Sequence, residues 1–197
     1  MKFTVVKDPI PYLIIDDVFN KDEQIKIYKE IDFFSDKLLE TEKTYSSKTV
    51  GKFKSNKGIF LDEFYTDDRT KSDILKINRK LFSSEITNEL KKCHYAYNLI
   101  DPTNVDNTLL SYYGDGDSYF WHKDYCVISI VTWFYKTPKN FIGGEFIFSD
   151  FNLNVEVKNN RTVIFFGSYA HEVSKVILQD KTVPFSGRFS LTNFCYI

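Results

Sequence analysis

The chain has 197 residues, of which 43% are hydrophobic and 17% aromatic, and its formal net charge is −1. This length is typical of one domain with a sizeable core. The near-neutral charge excludes the strong basic field on which non-specific nucleic-acid binding depends, and no apolar run reaches the ~18 residues of a membrane span. The 19 Phe and 13 Tyr residues favour a β-rich fold, because aromatic side chains pack well on pleated sheets.

The three cysteines, Cys93, Cys126 and Cys195, are odd in number, far apart and without any Cys-x-x-Cys pair. This pattern predicts buried free thiols in a reducing compartment rather than disulfides. The N-terminal residues contain no apolar stretch followed by a small-residue cleavage site, so they do not resemble a signal peptide. We therefore expect a soluble, cytoplasmic protein without a membrane span.

The first predicted elements are one strand and one helix. The apolar run at 11–15 predicts a strand, because it is rich in β-branched residues. Asn20 is followed three residues later by Glu23, which is the signature of a capping box, and it predicts a helix from about residue 21 to 35. The apolar positions that this helix would turn towards a sheet are Ile25, Tyr28, Ile31 and Phe34.

Between residues 36 and 58 the apolar pattern gives way to Lys, Ser, Thr, Gly and Asn, and five lysines lie between Lys43 and Lys57. This composition predicts a solvated surface loop. Its length also permits a second interpretation, a lid over a substrate. A second helical region extends from Ser72 to about residue 92, with a break near Ser84.

Six runs rich in β-branched and aromatic residues follow Pro102, separated by Gly, Asn, Asp and Pro. They lie at 108–112, 126–135, 145–148, 161–166, 172–178 and 188–197. Short strands at this spacing are typical of a sandwich or barrel. We predict an α+β fold in which helices, mainly in 1–100, support a double-stranded β-helix (jelly-roll) core, mainly in 105–197. No repeat or linker divides the chain, so 1–197 is predicted to be a single domain.

One stretch contains a histidine and a carboxylate two residues apart on a predicted strand, His122 and Asp124. Side chains at positions i and i+2 of a strand share a face. A second histidine, His171, opens a later strand-like run, with enough intervening chain to fold back over the same site. Two histidines and one carboxylate form the facial ligand set of non-haem Fe(II) oxygenases. The sequence therefore predicts a metal site at His122, Asp124 and His171.

The last predicted strand begins with Arg188 and alternates polar with apolar side chains. Arg188 would share an inner face with Ser190 and Thr192, while Phe189 and Leu191 point the other way. An arginine in a barrel interior requires an anion. Because a planar guanidinium pairs best with a carboxylate, a dicarboxylate cosubstrate satisfies this requirement.

The second half of the chain resembles the prolyl 4-hydroxylase branch of the 2-oxoglutarate/Fe(II) dioxygenases, particularly the oxygen-sensing prolyl hydroxylases and their microbial relatives. The resemblance depends on the order of four motifs, each weak alone. They are Tyr112-x-Gly114-x-Gly116-x-x-Tyr119-x-x-His122-x-Asp124, Gly143-Gly144, His171-Glu172-Val173 and Arg188-Phe189-x-Leu191-Thr192-x-Phe194. The two adjacent glycines permit close backbone approach or a sharp corner.

This resemblance implies that His122, Asp124 and His171 hold Fe(II), that 2-oxoglutarate and O2 are cosubstrates, and that ascorbate serves as reductant. The expected reaction releases succinate and CO2 while a substrate is hydroxylated. The protein would hold the metal, exclude water and aim one C–H bond at the reacting oxygen.

The resemblance also assigns roles around the cosubstrate. Arg188 would bind the distal carboxylate of 2-oxoglutarate, Tyr112 and Thr192 would donate hydrogen bonds to it, and Tyr119 would line the substrate side. Relatives place the basic residue nearer to the position of Lys181. Arg188 is preferred because the motif and the start of the strand agree there, and a lysine in a turn is usually solvated.

Two further aromatic residues, Trp133 and Tyr135, are possible contacts of the 2-oxoglutarate tail. The favoured substrate is a prolyl residue in a peptide or protein. The alternatives are the same chemistry on a free amino acid, another small molecule or a nucleic acid, the last disfavoured by the net charge. A non-catalytic jelly-roll binding module is the third class.

Overall fold

The structure, a computed structural model, describes residues 1–44 and 54–197, and within them it contains four α-helices and fifteen strands. The helices are α1 (Lys21–Phe34), α2 (Leu61–Phe64), α3 (Asp73–Asn78) and α4 (Ser84–Lys91). The strands are β1 (Lys2–Val6), β2 (Tyr12–Asp16), β3 (Leu39–Glu40), β4 (Lys54–Ser55), β5 (Lys57–Phe60), β6 (Val105–Tyr113), β7 (Ser118–His122), β8 (Ile128–Phe134), β9 (Phe141–Gly143), β10 (Phe146–Phe148), β11 (Leu153–Val155), β12 (Arg161–Phe166), β13 (His171–Val173), β14 (Val176–Leu178) and β15 (Arg188–Tyr196).

These strands form three antiparallel sheets. The large sheet has the order β1–β2–β12–β8–β15–β6–β5–β3, the second sheet has the order β11–β10–β13–β7–β4, and β14 pairs with β9. Along the chain, β6, β8, β12 and β15 of the large sheet alternate with β7, β10, β11 and β13 of the second sheet. This alternation is a double-stranded β-helix, so the predicted α+β jelly roll is confirmed.

The large sheet is buried on both faces, and β8 at its centre shows why. Its side chains alternate, so Ile128, Ile130 and Phe134 face the helices while Val131 and Trp133 face the second sheet. The helices pack against one face of the large sheet and form a hydrophobic core with it. Their buried side chains in this core are Ile27, Ile31, Phe34, Ile74, Leu75, Ile86 and Leu90. Each such buried side chain contributes about 1.5–3 kcal/mol. The helices thus stiffen the sheet whose other face lines the site.

Helix α1 begins at the predicted capping box. Asn20 Oδ1 accepts a hydrogen bond from Glu23 N at 2.9 Å, and Glu23 Oε2 accepts one from Asn20 N at 2.7 Å. One member of the predicted apolar stripe is wrong, because Ile25 is exposed and Ile27 packs in the core instead. At ~100° per residue these two positions lie roughly 160° apart, and Ile27 shares its face with Phe34.

The second helical region is interrupted, as predicted, by a 3-10 turn at Arg79–Phe82 before α4 begins at Ser84. Glu30 of α1 accepts hydrogen bonds from Ser72 Oγ and Ile74 N, both at 2.7 Å. A carboxylate at a helix N-terminus satisfies amides that would otherwise lack partners. This contact fixes α3 against α1.

The predicted surface loop at 36–58 is partly sheet. Its described parts, 36–44 and 54–58, include β3, which pairs with β5, and β4, which pairs with β7 of the second sheet. Residues 45–53 lie outside the described residues, so the lid interpretation stays a prediction. The strand β4 nevertheless places part of this segment beside the predicted metal ligands.

All three cysteines are free and buried, as predicted. Within the described residues, no helix combines the length and the apolar character needed to cross a membrane.

Candidate metal centre and cosubstrate pocket

The two predicted histidine ligands lie opposite each other on neighbouring strands. His122 ends β7, His171 begins β13, and the two residues are register partners. Further along, Val173 pairs with Tyr119. Between these two pairs β7 advances by three residues while β13 advances by two, so β7 has one extra residue. This β-bulge turns both Tyr119 and His122 towards the same cavity, which a regular strand would not do.

Asp124 lies outside the strand that was predicted to carry both His122 and Asp124. It follows the end of β7 rather than continuing the strand, and its backbone N–H donates to Gly167 O at 2.8 Å. Only glycine fits at position 167, because a Cβ there would lie 2.4 Å from Cys126 O. Ser129 Oγ donates to Asp124 Oδ2 at 2.5 Å and orients the carboxylate.

The ligand atoms of His122, Asp124 and His171 all lie within 4.8 Å of one another. His122 Nε2 is 3.8 Å from Asp124 Oδ1, and His171 Nε2 is 3.6 Å from Asp124 Oδ2. The two imidazole centroids are 4.2 Å apart. The structure therefore brings together the three residues that the sequence pattern selected.

Both imidazoles present the same nitrogen to this cluster. His122 Nδ1 lies 2.9 Å from Phe120 O, and His171 Nδ1 lies 2.9 Å from Tyr169 O. A carbonyl only accepts, so each Nδ1 carries a proton and each Nε2 is the nitrogen that faces the cluster. Burial, with a smaller contribution from the neighbouring His171, lowers the pKa of His122 to about 2. His122 is therefore neutral, the form that binds metals.

Arg188 lies at the deep end of the same cavity, 1% exposed. Its Nε and Nη1 form no hydrogen bond with the described residues. Its Cζ is 5.1 Å from the ring centroid of Tyr113 and 5.6 Å from that of Trp133. Burial lowers the pKa of Arg188 to about 10, so the guanidinium is charged at neutral pH.

Next to Arg188, the predicted glycine pair permits a close approach. Gly143 and Gly144 have φ of +72° and +69°, and a Cβ on Gly143 would lie 2.0 Å from Lys175 O. A Cβ on Gly144 would lie 2.8 Å from Val176 Cγ2 and 3.4 Å from Arg188 Cδ. The glycines thus let the chain turn over the guanidinium.

The assignment of Tyr112 to the cosubstrate is wrong, because its neighbour Tyr113 occupies that side. Arg188 pairs across the sheet with Tyr113, while Tyr112 pairs with Phe189. Paired residues share a face, so Tyr112 packs in the helical core, with its ring 4.7 Å from Phe189. Its hydroxyl accepts a hydrogen bond from Gly187 N at 3.3 Å. Burial raises the pKa of Tyr113 to about 12, which keeps its hydroxyl protonated.

Of the remaining predicted residues, some line the cavity and one does not. Thr192 and Tyr119 line the cavity together with Arg188. Lys181 does not line it; its side chain is 69% exposed and its Nζ is 2.7 Å from Asp115 Oδ2. Of the two cations considered for the cosubstrate, only Arg188 is in the cavity. Trp133 is buried, and its Nε1 has no hydrogen-bond partner among the described residues.

The cavity has a volume of about 760 Å³. Beyond the histidine cluster its mouth is aromatic, with Trp121 63% and Tyr125 94% exposed. Lys54 of β4 also lines it, and burial lowers the pKa of this lysine to about 8. Sequence reasoning missed Tyr113, Lys54 and Ser129. Only Tyr113 carried a signal, since one member of a tyrosine pair on a strand must face inwards.

The comparisons with known proteins agree with this geometry. Residues 108–196 match the family model of the 2OG-Fe(II) oxygenase superfamily. Three solved structures, each titled as a prolyl hydroxylase, share the fold at low sequence identity. They are a Pseudomonas putida prolyl-4-hydroxylase (TM-score 0.56, 15% identity, covering 94% of this chain and 92% of that chain), a Trichoplax adhaerens prolyl hydroxylase in complex with a hypoxia inducible factor peptide (0.59, 11%, 94% and 83%), and a viral collagen prolyl hydroxylase of Paramecium bursaria Chlorella virus-1 in complex with 2OG (0.54, 15%, 96% and 97%).

No curated protein shows significant sequence similarity to the chain. At identities of 11–15% the solved structures establish a shared fold, and the family model adds sequence similarity over the strands that carry His122, Asp124, His171 and Arg188. In motifs and in fold, this chain is similar to the prolyl 4-hydroxylase-like 2-oxoglutarate/Fe(II) oxygenases.

Proposed function

We propose that the chain is a 2-oxoglutarate- and Fe(II)-dependent dioxygenase that hydroxylates prolyl residues in a peptide or protein. One observation carries the proposal: a single cavity contains the His–Asp–His cluster and, at its deep end, a buried arginine with two nitrogen atoms that have no partner among the described residues. This combination suits a cosubstrate that is anionic at its far end and chelates a metal at its near end.

The residues present fit Fe(II). Two imidazoles and one carboxylate match the ligand set of the non-haem Fe(II) oxygenases, and their ligand atoms are close enough for small side-chain rotations to bring them to one ion. Each ligand has a supporting contact: a backbone carbonyl for His122 and for His171, and Ser129 for Asp124. Such contacts set ring orientation and ligand basicity.

The residues present also fit the distal carboxylate of 2-oxoglutarate. A buried charge without hydrogen-bonding partners is costly, and an incoming carboxylate removes that cost through a two-bond fork on the guanidinium. Trp133 Nε1 is a further buried donor, and its ring lies beside Arg188. We assign Tyr113, in place of Tyr112, and Thr192 as neighbouring donors on the same face.

When bound, Fe(II) supplies the activation of O2 that couples conversion of 2-oxoglutarate into succinate and CO2 to insertion of one oxygen atom into a substrate C–H bond. The chain's own part is positional. Arg188 orients the cosubstrate from one end and the His–Asp–His cluster from the other. Apolar walls that include Val131, Phe146 and Val173 exclude water between them.

The shape of the cavity favours a polypeptide over a free amino acid. Its lining follows the inner face of β15 from Arg188 to Tyr196, which at ~3.4 Å per residue is roughly 27 Å. A groove of this length accommodates several extended residues. Trp121 and Tyr125 at the mouth offer flat apolar surfaces suited to a pyrrolidine ring and its neighbours. The Trichoplax relative of the same fold has a peptide bound.

The test is an assay with Fe(II), ascorbate and 2-oxoglutarate on matched peptide pairs that differ by alanine in place of each proline. We expect a mass gain of one oxygen atom on the proline peptides, one succinate for each hydroxylated residue, and no gain on the alanine partners. Turnover of free proline with no peptide product would contradict the substrate assignment. Failure to form succinate under any condition would contradict the dioxygenase itself.

A further inference from the structure

Tyr119 makes the closest ring contact of the metal cluster. Its ring centroid is 3.6 Å from that of His122, and the two planes are 14° apart. Among the described residues, the other ring beside His122 is that of His171, at 4.2 Å and 55°. His122 is therefore in near-parallel stacking contact with one residue, Tyr119, which the β-bulge turns to the same side.

A cation also lies over the Tyr119 ring. Lys54 is the register partner of Tyr119 across β4 and β7, and its Nζ is 4.7 Å from the Tyr119 centroid. The imidazole already covers one face at stacking distance, which leaves the other face for the ammonium. A cation over an aromatic face is attracted by the ring quadrupole. Tyr119 is thus held between Lys54 and His122.

The two histidines are supported in different ways. His171 lies among buried core rings, with Phe146 at 5.3 Å and Phe165 at 4.9 Å. His122 has no such wall among the described residues, since the ring stacked on it is the half-buried Tyr119 at the cavity surface. The orientation of His171 is therefore set by the core, whereas the orientation of His122 depends on Tyr119.

We propose that Tyr119 is a positioning residue for His122: its ring, held by Lys54, fixes the plane in which His122 presents Nε2 to the metal. The hydrogen bond from Nδ1 to Phe120 O fixes one point of the imidazole, and the stack fixes its rotation about the Cβ–Cγ bond. This inference rests on the proposed metal site. Loss of a supporting contact of this kind typically costs about 10–100-fold in metal affinity.

The test is titration of the purified full chain with Mn(II), without 2-oxoglutarate, so that neither turnover nor substrate enters. Tyr119→Phe keeps the ring and is expected to bind within about twofold of wild type, whereas Tyr119→Leu and Tyr119→Met remove the ring and are expected to bind roughly tenfold more weakly. Tyr125→Leu is the matched control, because it removes an exposed cavity aromatic that no ring contact among the described residues joins to the ligands. We also expect an altered visible spectrum of bound Co(II) in the ring-free variants only.

Lys54→Met provides a second route that leaves the ring in place. We expect it to weaken Mn(II) binding roughly two- to fivefold, the size of a partly buried cation–π contact. Circular dichroism of each variant identifies any that fails to fold. If Tyr119→Leu fails to fold, the single variants Tyr119→Met and Lys54→Met carry the test in its place. Ring-free variants that bind Mn(II) as tightly as wild type would overturn the inference, as would equal losses in Tyr119→Phe. A wild-type chain that binds no Mn(II) would instead overturn the proposed metal site.

Discussion

The two ends of the cavity are built in opposite ways. The deep end, with Arg188 and Trp133, lies within regular antiparallel pairs of the large sheet and is buried throughout. The mouth, with Lys54 and Tyr125, depends on a two-residue strand, a bulge and a turn. A rigid scaffold suits chemistry that needs one fixed geometry, and irregular segments suit recognition of a variable partner. We therefore expect changes at the metal ligands and the deep end to impair the chemistry and changes at the mouth to alter substrate selection.

The largest effect is expected from removal of the carboxylate ligand. Asp124→Ala should lower 2-oxoglutarate decarboxylation by at least about 100-fold, because supporting contacts alone are worth up to that much. The measurement is succinate release without a prime substrate. Asp115→Asn is the control, because Asp115 is a surface carboxylate paired with Lys181. Equal rates in Asp124→Ala and wild type would contradict the assignment of Asp124 as a metal ligand.

Arg188→Met tests the deep end for the cosubstrate. Loss of a buried charge-assisted pair costs about 2–5 kcal/mol, so we expect the KM for 2-oxoglutarate to rise roughly 100-fold while Mn(II) affinity is kept. The cosubstrate-free variant should also be more stable than wild type by about 1 kcal/mol or more, since a buried guanidinium without partners is removed. Lys181→Met is the matched control, and a larger KM change there than in Arg188→Met would contradict the assignment.

At the mouth, Lys54 should make the free energy of unfolding depend on pH. Burial lowers the pKa of Lys54 from 10.5 to about 8 in the folded chain. Between pH 8 and 10 the unfolded chain therefore binds more protons at this site, so the free energy of unfolding should rise with pH, by about 2 kcal/mol in total. Denaturant unfolding at several pH values measures this. Lys54→Met should lack that rise; an identical rise in the variant would mean that another group causes it.

The smallest effect is expected at the rim. Trp121→Ala should raise the KM for a proline peptide roughly tenfold, the cost of losing one exposed aromatic contact. Decarboxylation without peptide and thermal stability should both remain unchanged, because the side chain is 63% exposed and lies outside the core. A fall in uncoupled decarboxylation as large as the change in peptide KM would show that the mouth is not separable from the chemistry.

Local signals in the sequence were sufficient for the His122–Asp124 pair and for the inward direction of Arg188, whereas His171 and the role of Arg188 depended on the family resemblance. His122 and Asp124 are close in sequence and come together whatever the register, and the alternation of the last strand places Arg188 inwards on its own. The capping box at Asn20 is equally local. Such features need no knowledge of which strands pair.

The errors arose where pairing between distant strands decides the outcome. Tyr112 and Tyr113 are adjacent and point to opposite faces, and only the register of β6 against β15 shows which one meets Arg188. Lys54 enters the site through two paired residues, too few to produce a pattern. The prediction placed Ile25 on the buried face of α1, although Ile27 occupies that face, because both residues fit an apolar stripe with helical spacing.

The central claim is that one cavity binds a ferrous ion at the His–Asp–His cluster and a 2-oxo diacid between that ion and Arg188. The most direct test is anaerobic titration of the Fe(II)-loaded chain with 2-oxoglutarate, followed by visible absorption. We predict a charge-transfer band for wild type, none for Asp124→Ala, and the same band at roughly 100-fold higher 2-oxoglutarate for Arg188→Met. No band in wild type, or an identical titration in Arg188→Met, would contradict the account.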